Sequence, residues 1–414
     1  MSVSTEFSDV IHIDRDNFSE ARKAVPFIAR KAFDLLLRLE YGKLLFQLPT
    51  GRKFKFDAGN PGPDASLVLN NWRLPRRMVM GGTIGVAESY MEHDWDSPDV
   101  TQLMEFFLVN KSAYDGVAKQ NIFMGVVENV RHWLNRNNKS GSKRNIAAHY
   151  DLGNDFYSLW LDPSMTYSSA IYEDGANSLE RAQEDKYRSL ATRMGITPDS
   201  HVLEIGSGWG GFAEYVGKAI GARVTGLTIS GEQLDYARKR IQKAGLQDKV
   251  DFRFQDYRDE TGKYDQIASI EMFEAVGEEY WPVYFEKVHD CLKPDGTAGL
   301  QIITIDDESF ETYRRRTDFI QRYIFPGGML PSPTALEQVT SEKGLSLSEE
   351  RIFPQDYAKT LSEWRVRFLA RWDDIKKLGF DERFKRMWEF YLYYCEAGFK
   401  SEGIDVRQMF YRRS

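Results

Sequence analysis

From His201 onward the chain alternates short apolar runs with amphipathic stretches, and nothing else in the sequence constrains the fold as strongly. HVLEIG, RVTGLTI, VDFRFQD, YDQIASIEMF and GTAGLQIITI read as strands. GGFAEYVGKAI, SGEQLDYARKRIQKAG and the residues around Glu278–Cys291 read as helices between them. Strand and helix in turn at this spacing predict a Rossmann-like α/β domain, a parallel sheet covered by helices on both faces. Such sheets bind ligands beyond the carboxyl ends of their strands. Here the first strand runs into Gly206-Ser207-Gly208-Trp209-Gly210-Gly211, a GxGxxG loop that opens a helix.

Charge indicates which ligand that loop suits. A dinucleotide would place pyrophosphate at the helix N-terminus. Glu204, two residues before the first glycine, is awkward beside a phosphate but useful beside an ammonium or sulfonium. The second strand ends in Leu227-Thr228-Ile229-Ser230, without the acidic residue that holds a dinucleotide ribose, leaving Thr228 and Gln233 as neutral partners. S-adenosylmethionine fits better than NAD or FAD.

Ahead of this domain lies a smaller α+β unit. Glu20–Leu37 has helical spacing, and GKLLFQLPTGRKFKFDAG alternates around Pro49-Thr50-Gly51 as a hairpin. SLVLNNWRLPRRMVM continues the mixed pattern, and helices are expected over Asp99–Leu108 and Ile122–Leu134. RHWLNRNNKSGSKR, residues 131–144, has five Lys and Arg and no acid, which marks a basic interdomain linker. The expected domains are therefore 1–130, the linker, and a catalytic domain over 145–414 with a helical insertion near 306–330. Residues 1–144 hold 20 Lys+Arg against 17 Asp+Glu, and the remaining 270 hold 35 against 45. A basic first third with Arg52, Lys53, Lys55, Arg73, Arg76 and Arg77 suits an anionic surface, each basic residue contributing about 1 kcal/mol near an anionic leaflet. No zinc-finger spacing or RNA-binding signature points to nucleic acid instead.

The start MSVSTEFSDVIHIDRD is acidic and lacks an apolar h-region, and no run of some 18 apolar residues occurs. Two cysteines, Cys291 and Cys395, cannot build a disulfide framework. A cytoplasmic protein touching the membrane peripherally is the expectation. The six His are scattered without metal-ligand spacing, so no metal is expected.

AAHYDLGNDFYSLWLDPSMTYSSAIY, VLEIGSGWGG, LTISGEQ, FQDYRD, EMFEAVG, YIFPGGMLPS and FKRMWEFYLYYCEAGF together resemble the cyclopropane-fatty-acyl-phospholipid synthase family in order and spacing. The resemblance implies S-adenosylmethionine-dependent methyl transfer to double bonds in acyl chains of membrane phospholipids, by a homodimer. It implies that Tyr167 and Ser168 touch the methionine end of the cofactor and that Gly206 and Gly208 lie beneath it. Thr228, Ile229 and Gln233 would then lie near the ribose, and Asp256 and Tyr257 at the adenine. It also implies a bound bicarbonate as base, held by Cys, Glu, His and Tyr side chains with backbone help. Glu274 and Tyr357 match that pattern, with Ile303 as the backbone contributor. The Cys position is Ser169 and the His position is Gln301, so either the bicarbonate site is remodelled or the base has moved.

Base placement decides the product. Loss of a proton from the newly added methyl closes a cyclopropane, whereas loss from a neighbouring chain carbon gives a methylene- or methyl-branched alkene. Phe310, Tyr313, Phe319, Tyr323, Ile324 and Phe325 in the insertion are candidates to line an acyl tunnel. Two other readings are a soluble amine N-methyltransferase and a non-catalytic lipid-binding protein.

Overall fold

The computed structural model describes residues 10–113, 152–173, 175 and 177–413. They belong to two compact units, Met1–Glu128 with Phe380–Ser401, and Asn129–Gly379 with Glu402–Ser414. The basic linker over 131–144 and the helix expected over Ile122–Leu134 lie outside the described residues.

The first unit carries a five-stranded sheet of β1 (Val10–Ile13), β2 (Tyr41–Gln47), β3 (Lys53–Asp57), β4 (Asn60–Leu69) and β5 (Trp95–Asp96), in the order β1-β3-β2-β4-β5. The expected hairpin is present. Leu44 faces Phe56 and Phe46 faces Phe54 across β2 and β3, so the two-residue period puts one apolar face inward. Phe33 caps that face, with ring centroids 5.6–6.1 Å from Phe46, Phe54 and Phe56. The single helix expected over Glu20–Leu37 is broken into Phe18–Lys23 and Phe27–Asp34, because Pro26 between them has no N–H to continue the ladder. A helix over Arg73–Met91, kinked at Gly82 (φ 55), replaces the mixed pattern read there.

The aromatic tail is a second correction. Its helix, Glu382–Lys400, packs on the helices Arg73–Met91 and Val100–Val109, so it completes the first unit rather than the catalytic one. Arg386 donates to the carbonyls of Tyr90 and Trp95 and to Asp96 Oδ1, and Phe390 packs 5.6 Å from Tyr90.

The second unit is built on β6 (His201–Ile205), β7 (Arg223–Thr228), β8 (Val250–Phe254), β9 (Tyr264–Ile270), β10 (Leu292–Ile305), β11 (Leu345–Ile352) and β12 (Ile404–Arg413). Their order is β11-β12-β10-β9-β6-β7-β8, all parallel except β12, which is antiparallel to both neighbours. Successive strands run outward from β6 on one side to β8 and then resume at β9 on the other. The reversal leaves a crevice at the carboxyl end of β6, where the glycine loop lies. Apolar clusters pack on both sheet faces, one around Ile267, Tyr284 and Leu300, the other around Val202, Phe212 and Phe252. The insertion forms two short helices, Asp307–Tyr313 and Phe319–Tyr323, each started by an aspartate cap.

Candidate active site

Backbone conformation sets the floor of the crevice. Gly206 (φ 83) and Gly210 (φ 82) occupy the left-handed region that side chains disfavour. A Cβ on Gly206 would strike Met272, and one on Gly210 would lie 2.8 Å from the Phe252 ring. Met165–Ser168 wall the crevice opposite Glu204, Gly206, Ser207 and Gly208. Tyr167, Ser168, Glu204, Gly206 and Gly208 are thus brought together as expected. Thr228 ends the adjacent β7, where its hydroxyl donates to Gln233 Oε1 and accepts from the Ser230 N–H, and half-buried Ile229 follows it. Beyond β8, Asp256 is clasped by the Arg258 guanidinium at 2.7 and 2.8 Å, and Tyr257 packs on Tyr284. Five of the ten expected cofactor residues thus line the crevice, and Thr228, Ile229, Gln233, Asp256 and Tyr257 lie at or after the carboxyl ends of β7 and β8, outside that lining.

Glu204 determines the chemistry that the crevice suits. It is buried, its Oε2 meets no hydrogen-bond donor, and burial pushes its carboxyl well above the usual range against the pull of Lys186. A buried carboxylate oxygen without a partner is costly, and a cation in the crevice relieves that cost. These residues fit S-adenosylmethionine. Lys186, which sequence reading missed, is fully buried and donates to Ser168 Oγ at 2.6 Å. Burial draws its pKa down to about 7, while Glu271, Asp162 and Glu204 hold it up.

Aromatic rings enclose Tyr167: Tyr157 at 5.4 Å, Trp160 at 5.6 Å, Trp364 at 5.2 Å and Phe325 of the insertion at 6.3 Å. Phe310, Phe319 and Ile324 are buried, and Phe310 packs on Trp281 rather than in this box.

Next to it lies a polar cluster centred on a residue that sequence reading did not single out. Glu271 follows β9 with φ 47, unusual for a residue with a side chain. Its Oε1 accepts from the Ser169 N–H and from Gln301 Nε2, both at 2.8 Å, and its Oε2 accepts from the Tyr357 hydroxyl at 2.6 Å. The Ser169 hydroxyl turns away to the Ala170 carbonyl, so Ser169 contributes its backbone and not its side chain. Gln408 Nε2 donates to Gln301 Oε1 at 3.1 Å, which fixes the amide with its NH2 toward Glu271. Glu274 is one turn further on, accepting the Ile303 N–H at 2.6 Å, with its Oε2 buried and unpartnered. Burial and the Glu271 charge push the Glu274 carboxyl up to about 8. Of the five residues expected to surround a bicarbonate, Ser169, Gln301 and Tyr357 therefore donate to Glu271, and Ile303 donates to the fifth, Glu274. Donors from Ser169, Gln301 and Tyr357 are already engaged by Glu271, so these residues do not fit a bicarbonate as expected. A carboxylate at the end of a central strand was the available signal for Glu271, but three residues from Glu274 it read as part of the same motif.

Residues 137–409 match the family model for mycolic acid cyclopropane synthetase. A tuberculostearic acid methyltransferase of Mycobacterium tuberculosis is 35% identical over 99% of this chain and 98% of its own. The cyclopropane-fatty-acyl-phospholipid synthase of Escherichia coli is 34% identical over 86% of this chain and 89% of its own. Among solved structures, a mycolic acid cyclopropane synthase complexed with SAH and CTAB superposes with a TM-score of 0.62 at 30% identity, covering 66% of this chain and 98% of the other. Coclaurine N-methyltransferase, at 18% identity and a TM-score of 0.60 over 79% of this chain and 99% of its own, shares the fold. With the glycine loop, the buried Glu204 and these matches in view, the chain belongs to the mycolic acid cyclopropane synthetase family and is an S-adenosylmethionine-dependent methyltransferase.

Proposed function

We propose that the enzyme methylates the double bond of an unsaturated fatty acyl chain in a membrane phospholipid, giving a cyclopropane or a methyl- or methylene-branched chain. The aromatic box around Tyr167, placed beside a crevice suited to a cation and beside two half-buried carboxylates, is the observation that carries this reading. An isolated alkene is a weak nucleophile, and attack on a methyl group leaves positive charge on an acyl carbon. π-faces and carboxylates stabilise that charge, and a water-poor box keeps it from being quenched. A soluble amine brings its own lone pair and has no need of such a box, and the coclaurine enzyme supports that alternative only through a common fold. Relatives named for fatty-acyl-phospholipid and tuberculostearic acid chemistry support the lipid substrate.

When bound, S-adenosylmethionine supplies an electrophilic methyl carbon. Tyr167 and Ser168 hold its methionine end, with Lys186 fixing the Ser168 hydroxyl, and Glu204 balances its positive charge. Gly206 and Gly208 admit it close to the backbone. Thr228, Ile229 and Gln233 meet the ribose, and Asp256 and Tyr257 the adenine. Peripheral docking on the cytoplasmic leaflet by the first unit, and assembly as a homodimer, belong to the same proposal. In support of docking, Phe27 is 86% exposed and Ile28 54%. No helix among the described residues is long and apolar enough to cross a membrane.

The test presents purified enzyme and methyl-labelled S-adenosylmethionine with vesicles of monounsaturated anionic phospholipid, and separately with a panel of soluble amines. Label in the lipid acyl fraction is expected. Label confined to an amine would overturn the proposal.

A further inference from the structure

We infer that Glu271 is the general base of the reaction, a carboxylate built into the chain where a bound bicarbonate was expected. The inference rests on the alkene-methylation reading above and specifies who takes the proton.

Methyl transfer forms a bond between the methyl carbon and one alkene carbon. The S–CH3 pair goes to sulfur, and the second alkene carbon is left positive. A C–H bond, on the new methyl or on a neighbouring chain carbon, then gives its electron pair to close the ring or a new double bond. Its proton needs an acceptor on the spot. Ser169 and Gln301 cannot serve, since one offers a backbone N–H and the other an amide held by Gln408 with its donors forward. Tyr357 is already donating to a carboxylate.

That leaves two carboxylates in different settings. Glu274 has one donor, from Ile303, and a buried second oxygen with none. Glu271 accepts three hydrogen bonds on two oxygens, out of about four lone-pair sites, so one position stays open for an incoming proton. Burial raises both carboxyls. Tyr357, Lys186, Gln301 and Ser169 all oppose the rise at Glu271, whereas the charge of Glu271 adds to it at Glu274. Such a pair divides the roles, with Glu274 holding a proton and Glu271 holding charge. Tyr357 also stands edge-on to Trp364 at 6.2 Å, and Trp364 packs on Tyr167, which ties the Glu271 cluster to the aromatic box. The left-handed backbone of Glu271 is the conformation glycine adopts freely, so a glycine there would vacate a carboxylate-sized space and leave its three donors in place.

The experiment compares wild type, Glu271→Gln and Glu271→Gly on monounsaturated phospholipid vesicles in carbonate-free buffer, then with bicarbonate or formate added. Cofactor binding is followed by calorimetry. Wild-type turnover is expected to be indifferent to bicarbonate. Both variants should bind S-adenosylmethionine within about threefold of wild type and lose about 100-fold or more in turnover. Glu271→Gly should recover at least about tenfold with the small anions, and Glu271→Gln, whose amide fills the space, should not. A wild type that stops without bicarbonate would overturn the assignment. So would variants that retain full turnover, or a loss in Glu271→Gly that neither anion restores. If wild type labels no lipid while binding the cofactor, the alkene reading itself fails, a result distinct from any of these.

Discussion

Glu204, Glu271 and Glu274 are three carboxylates in one buried region, and their surroundings separate what each can do. Glu204 lacks a donor on Oε2 and is set against the cofactor crevice. Glu204→Gln keeps the shape and removes the charge, so S-adenosylmethionine affinity by calorimetry should fall about 10- to 100-fold, the worth of a charge-assisted contact. An unchanged affinity would remove Glu204 from the cofactor site. Glu274 makes a prediction about stability. Folded, its carboxyl keeps its proton up to about pH 8, whereas its ordinary value is 4.5. Across that window the native state binds the extra proton, so the Glu274 contribution is present at low pH and is lost as pH rises, by at most about 1.4 kcal/mol per pH unit. Urea midpoints of cofactor-free wild type should fall relative to Glu274→Gln between pH 5 and pH 8. Parallel curves would contradict the burial argument.

Elements explain which of these residues could be read from sequence. Strand and loop residues at the ends of β6 and β7 were readable because the motif fixes its own conformation: a strand, a left-handed glycine and a capped helix occur in sequence. Gly210→Ala tests that statement. Its φ of 82 and the 2.8 Å approach to Phe252 predict a loss of about 1–3 kcal/mol, measured by thermal melting, where an ordinary surface Gly→Ala change is neutral or stabilising. Glu271, Lys186 and Gln408 were not readable in this way. They come from three separate elements, β9's end, the helix Leu179–Arg193 and β12, and only the sheet order brings them together. The tail helix misled for the same reason. Its aromatic periodicity says that it packs but not against what, and its partners are helices about 300 residues earlier. On the helix Phe27–Asp34, exposed Phe27 makes the docking proposal testable. Phe27→Asp should weaken sedimentation with anionic vesicles severalfold and leave the melting temperature within a degree or two, because the side chain it removes packs on little. Undiminished sedimentation would assign docking to another surface.

At the scale of the whole molecule, the charge split seen in the sequence acquires partial structural content. Arg73 and Arg77 pair with Asp94, which is fully buried, so two of the six cations proposed for an anionic surface hold the first unit together instead. In the insertion, Arg314 pairs with Glu278 and Glu311, and Arg315 with Glu311, so these two cations are balanced within the second unit. The acidic second unit, by contrast, holds the carboxylates that a cationic cofactor and a transient carbocation call for, Glu204 buried and Glu271 and Glu274 half-buried. The family match spans residues 137–409, and the curated tuberculostearic acid relative aligns over 99% of the chain, so both units belong to the comparison. The most direct measurement is mass analysis of fatty acid methyl esters after the enzyme is expressed in cells rich in monounsaturated phospholipid. The account predicts acyl chains heavier by one methylene unit, at the expense of their unsaturated precursors and absent with Glu271→Gln. An unchanged acyl profile from folded, S-adenosylmethionine-binding enzyme would contradict it.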